Sequence, residues 1–70
     1  MVERQSVSSS YCKSIGHDPA ANELHVEWHS GKVSIYSDVD VNEFHEILSA
    51  PSVGRAVIAV KNTRNHRYAG

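Results

Sequence analysis

Two runs of alternating apolar and polar residues, Glu23-Leu-His-Val-Glu-Trp28 and Lys32-Val-Ser-Ile-Tyr36, flank Ser30-Gly31. Alternation with period 2 marks a pair of half-buried strands. Taking Ser30-Gly31 as a two-residue turn sets the pairing: Trp28 faces Val33, Val26 faces Ile35, and Leu24 lies on the same buried side. The other face then carries His29 opposite Lys32, Glu27 opposite Ser34, and His25 opposite Tyr36. A slip of one residue would turn every side chain over, so the apolar set also argues for this register.

Upstream, Tyr11-Cys-Lys-Ser-Ile-Gly-His17 reads as the first strand of a meander. Asp18-Pro-Ala-Ala-Asn22 supplies a turn, because proline pre-sets its φ and Asp and Asn bond locally to the backbone. With Asp18 paired to Glu23 across a four-residue loop, Ile15 faces Val26 and His17 faces Leu24. Ile15, Val26 and Ile35 then form one apolar row across three strands. The polar stretch over residues 3–10 holds one internal valine and is read as either a short edge strand or an ordered arm.

The next segment provides a cover for the apolar face. Asp40 and Glu43 stand at the spacing of a capping box, and Val39 with Phe44 makes a hydrophobic staple. Val41, Phe44, Ile47 and Leu48 recur at helical spacing. Pro51 pushes the residue before it out of the helical region, so this helix should stop near Ala50. Pro51 suits the first turn of a second helix, with Ser49 as its cap. Val53, Val57, Ile58 and Val60 give that helix an apolar stripe; their β-branching makes a strand the rival, but Gly54 and the polar breaks favour a helix. The closing run from Asn62 reads as irregular and basic.

The pattern thus predicts an α+β domain filling residues 1–70. It has a three-stranded antiparallel meander (about 11–17, 23–29 and 32–37) and two C-terminal helices (about 41–49 and 51–60) on one face. Seventy residues make a small core worth about 3–5 kcal/mol, so an oligomer is a live expectation. Cys12 is the single cysteine, which excludes an internal disulfide. The N-terminus has no apolar core of a signal peptide and no stretch is long enough to span a membrane, so a cytoplasmic location is expected.

Charge is uneven along the chain. The first fifty residues hold three Lys or Arg and eight Asp or Glu, net −5, while the last twenty hold Arg55, Lys61, Arg64 and Arg67, net +4. Such a tail either contacts phosphates or balances the acidic part. Candidate chemistry is sparse. Ser8-Ser9-Ser10 lacks the Gly-x-Ser-x-Gly elbow of a serine nucleophile. His25 and His29 would share a strand face but lie ~13 Å apart, too far for one zinc ion. His45 and His66 complete no metal-ligand spacing. Neither an enzyme, a metal nor another cofactor is indicated.

The order Val-Ser-Ser-Ser (7–10), Ile-Gly-His-Asp-Pro (15–19), Leu-His-Val-Glu-Trp (24–28), Ser-Gly-Lys-Val-Ser-Ile-Tyr (30–36) and Ala-Pro-Ser-Val-Gly-Arg (50–55) resembles the KTSC domain family. That family takes its name from a module at the C-terminus of some lysyl-tRNA synthetases, and it also occurs as free-standing bacterial and phage proteins. The resemblance implies an α+β domain and a role in RNA binding. Three positions depart from the family pattern. Ser34 replaces the first tyrosine of a Tyr-x-Tyr pair, Ala56-Val57 follows where an aromatic is usual, and His17 stands in place of a tyrosine.

Three classes of function follow. The first is a non-enzymatic RNA- or nucleic-acid-binding module using Arg55, Lys61, Arg64 and Arg67 with Tyr36, His25 and Lys32 of the exposed sheet face. The second is a homo-oligomer that binds or sequesters a nucleotide. The third is a protein-interaction module docking through a sheet edge or the second helix.

Overall fold

The computed structural model describes residues 3–68. In chain order the elements are β1 (Arg4–Ser6), β2 (Cys12–Asp18), β3 (Glu23–Trp28), β4 (Val33–Tyr36), α1 (Val41–Ser49), α2 (Val53–Thr63) and β5 (His66–Tyr68). The strands form one antiparallel sheet in the order β1-β2-β3-β4-β5. Two short strands therefore extend the expected meander. β1 realises the edge-strand reading of the N-terminal stretch, and β5 replaces the irregular tail.

The β2–β3 register is the one the turn chemistry predicts, with Ile15 opposite Val26, His17 opposite Leu24 and Asp18 opposite Glu23. The carboxylate of Asp18 accepts from the Ala20 amide at 3.0 Å, and Asn22 takes the left-handed conformation at φ 51°. These are the local devices for which Asp and Asn are favoured in turns.

The β3–β4 hairpin corrects the sequence reading. Its loop has three residues, His29-Ser30-Gly31, not two. The Gly31 amide donates to the Trp28 carbonyl at 2.9 Å, and the Trp28 amide donates to the Lys32 carbonyl at 2.9 Å. Gly31 sits at φ +94°, the left-handed position that closes a three-residue hairpin loop. Val26 therefore faces Ser34, Leu24 faces Tyr36, and His25 faces Ile35. Ser34 and Tyr36 move to the core side, at 2% and 1% exposure. Ile35 goes to the opposite face, so the expected row ends in Ser34 instead.

A serine is tolerated there because its hydroxyl has a partner. The Trp28 indole Nε1–H donates to Ser34 Oγ at 2.8 Å, and a buried polar pair that satisfies itself avoids most of the desolvation cost. A second local device sits in β2. Cys12 faces Trp28 and Ser14 faces Glu27, so Lys13 is an extra residue, a β-bulge. Period 2 alone would put Cys12 and Ser14 on one face. The bulge lets Cys12 join the core while Ser14 Oγ bonds Glu27 on the outer face at 2.9 Å.

The helices cover the inner face. Asp40 caps α1 by accepting from the Glu43 amide at 2.8 Å, and Val39 and Phe44 are buried as a staple requires. α1 ends before Ala50, as Pro51 dictates. α2 begins two residues later than expected, capped by Ser52 rather than Ser49. The core joins Cys12, Ile15, Leu24, Val26 and Tyr36 of the sheet to Val39, Phe44, Ile47, Val57 and Val60. Val41, expected in the stripe of α1, is 43% exposed instead. Gly54 packs so closely on the β1–β2 connection that a Cβ there would lie 2.6 Å from Ser9 Oγ. Among the described residues no helix is long and apolar enough to cross a membrane.

Candidate nucleic-acid interface

The seven residues that the sequence singles out do not form one patch. The shift of one residue in the hairpin separates them first. Tyr36, expected on the open sheet face with His25, lies under the helices, and burial raises its phenol above the usual range. It cannot offer a ring face to a ligand.

His25 does stand on the outer face, opposite Ile35 and beside Gly16. Its Nε2 is buried without a hydrogen-bond partner among the described residues, and lies 3.8 Å from Glu23 Oε1. Burial lowers its pKa below the usual histidine value, although the Glu23 and Asp18 carboxylates pull the other way. His29 is in the turn, not on a strand face, with Nε2 2.8 Å from the Ser9 carbonyl.

Two of the four C-terminal cations are engaged internally. Arg67, opposite Ile35, reaches across β4 and donates to both oxygens of Glu23 at 2.7 and 3.1 Å. Its hydrogen bonds hold the Glu23 carboxyl below the ordinary range. Arg64 donates to both oxygens of Glu43 at 2.7 and 3.0 Å, tying the end of α2 to the first turn of α1. Two-pronged pairing of this kind is the strong form of an arginine–carboxylate contact. Charge balancing thus accounts for Arg64 and Arg67.

Arg55, Lys61 and Lys32 keep their charges free of carboxylate partners among the described residues. Arg55 and Lys61 are exposed on α2, the latter in its last turn, where a cation suits the negative end of the helix. Lys32 leaves the hairpin turn and places Nζ 5.9 Å from the centre of the Tyr68 ring. Tyr68 is 64% exposed and meets His66 edge-on at 5.4 Å, while His66 leans on Tyr36 at 5.5 Å.

Sequence reasoning misses His66 and Tyr68. The available signal was their spacing, two aromatic rings separated by one residue, which is strand periodicity inside an apparently irregular tail. It equally misses that Asp18, Glu23 and His25 bring donor atoms within 4.8 Å of one another. Arg67 already occupies both Glu23 oxygens in that cluster.

Two open grooves lie among the described residues. One, of about 420 Å³, runs between the helices and is bordered by Glu43, Glu46, Ala59 and Arg64. The other, of about 370 Å³, lies by β1, lined by Arg4, Gln5, His17 and Phe44. His17 is held there by its ring, stacked on Phe44 at 5.4 Å, and by Nε2, 2.6 Å from the Val39 carbonyl. His17, one of the three departures from the resembled pattern, thus fastens the β4–α1 connection.

Residues 8–60 match the family model of the KTSC domain. An uncharacterized protein of Stutzerimonas stutzeri (strain A1501) is 33% identical over 67 residues, covering 96% of this chain and 94% of its own length. The crystal structure of a KTSC domain protein from Yersinia pestis superposes with a TM-score of 0.90 at 32% identity, covering all of both chains.

Proposed function

The chain belongs to the KTSC domain family, and from that premise we propose that it is a small, non-enzymatic module that binds RNA through its phosphates. The observation that carries this reading is the charge of the segment from Val53 to Tyr68, which contains four Lys or Arg and no carboxylate. Arg64 and Arg67 are tied to Glu43 and Glu23, which leaves Arg55 and Lys61 of this segment, with Lys32 of the turn, to meet phosphates. Three contacts of this kind give modest, salt-sensitive binding.

The test is a backbone amide NMR titration with a short single-stranded RNA at low salt, repeated at high salt. Shifts at α2, β5 and the hairpin turn that fade with salt support the reading. Combined Lys32→Ala, Arg55→Ala and Lys61→Ala replacement should flatten the slope of log K against log salt by about 2, at roughly 0.7 per single-strand phosphate. An unchanged spectrum at low salt overturns it.

A further inference from the structure

We propose that the open ring of Tyr68, braced edge-on by His66, forms a stacking ledge for an unpaired base, so that this protein selects single-stranded over duplex nucleic acid. The inference rests on the phosphate-binding reading above and adds to it the part of the ligand that is recognised.

Three rings run outward along the β4–β5 edge. Tyr36, 1% exposed, is anchored in the core; His66 leans on it at 5.5 Å; Tyr68 follows at 5.4 Å and is 64% exposed. The series is held on paired strands, since Tyr36 faces His66 and Ser34 faces Tyr68. Tyr68 meets the His66 ring, yet most of its own surface stays open to solvent, where its apolar ring gains little from burial. Other aromatic side chains here have work within the fold. Trp28 bonds Ser34, Phe44 stacks on His17, and the half-exposed Tyr11 lies against Gly54.

Charge at the ledge fits the same ligand. Lys32 Nζ stands 5.9 Å from the Tyr68 ring centre, where the ring's electron density attracts a cation. A base arriving on the ring displaces this ammonium, which is then within reach of that nucleotide's phosphate. Bases in a duplex are stacked on their neighbours and present no free face, whereas a single strand does.

Fluorescence anisotropy on the full chain separates the ledge from the phosphate contacts. The probes are a labelled oligouridine, an abasic strand with the same number of phosphates, and a duplex of the same length. The ledge predicts that oligouridine binds on the order of tenfold tighter than the abasic strand, the effect of one stacked base. Tyr68→Ala should bring oligouridine down to the abasic level and leave abasic binding unchanged, while Tyr68→Phe keeps the difference. If Tyr68→Ala perturbs the amide spectrum beyond β4 and β5, Tyr68→Leu takes its place, keeping apolar bulk without a π-face. Equal binding of oligouridine and the abasic strand, or an equal loss on both, overturns the ledge and leaves phosphate binding standing. Tighter binding of the duplex overturns the ledge as well. Failure of all three probes to bind at low salt removes the phosphate reading, and the ledge with it.

Discussion

The indole Nε1–H of Trp28 donates to Ser34 Oγ across the β3–β4 hairpin at 2.8 Å, six residues apart in sequence. This bond ties the turn to the strand whose face the turn decides. Replacing Ser34 with alanine leaves a part-buried indole N–H without its acceptor. The expected cost is about 1–3 kcal/mol, read as a lower urea midpoint with unchanged slope. A variant as stable as the parent would show that water satisfies the indole equally well.

Gly31 carries the turn itself. Nothing lies within 4 Å of where a Cβ would stand, so an alanine there meets no clash and only the backbone conformation at φ +94° opposes it. Gly31→Ala should therefore lose about 1 kcal/mol, and Gly31→Asn less, since Asn tolerates the left-handed region. Chemical denaturation of the two variants checks the order. Equal stability of all three proteins would mean that the hairpin can close through another turn.

Gly54 presents the opposite case. Alanine favours a helix interior by about 1 kcal/mol, yet its Cβ would lie 2.6 Å from both Ser9 Oγ and the Tyr11 ring. Ser9 is not free to retreat, because its Oγ accepts from the Tyr11 and Cys12 amides at 3.0 and 3.4 Å. Overpacking of about 1–3 kcal/mol should win, so Gly54→Ala lowers the melting temperature. Adding Tyr11→Ala relieves only the ring half of the clash. A rise in melting temperature for the single variant would contradict the close packing.

Acid should weaken the fold in two stages. Burial depresses the pKa of His25, so between the folded value and the ordinary 6.5 the unfolded chain binds the extra proton. Stability is thus intact above pH 6.5 and declines just below it. Glu23 is depressed by its bonds from Arg67, so its contribution is present above the ordinary 4.5 and is lost as pH falls through the folded value. His25→Gln should flatten the upper stage and leave the lower one. A His25 ring titration by NMR with a midpoint at or above 6.5 would refute this assignment.

Much of the site was illegible for one local reason. A two-residue turn puts His25, Lys32 and Tyr36 on a common face, and a single added loop residue sends Tyr36 to the core. The sequence leaves Arg64 and Arg67 open between phosphate contact and charge balance, because their partners, Glu43 and Glu23, are 21 and 44 residues away. Sequence distance hides an ion pair that folding makes. His66 and Tyr68 were hidden by shortness: a three-residue edge strand has too few positions for alternation to stand out from an irregular tail.

By itself the sequence determined whatever depends on neighbours along the chain. The Asp18–Asn22 turn and its register, the Asp40 cap, the stop before Pro51 and the helical cover of an antiparallel meander all follow from local chemistry and apolar period, while the family was legible only as a resemblance in the order of its motifs. Tertiary structure decided which face each β4 residue takes, which arginines are neutralised, and that the tail becomes a fifth strand. Those outcomes turn on a choice between near-equal local options. A two- or three-residue loop suits Ser30-Gly31 almost equally well, and only the sum of long-range contacts selects between them: Ser34 under Trp28, Tyr36 beneath the helices, and β5 along β4.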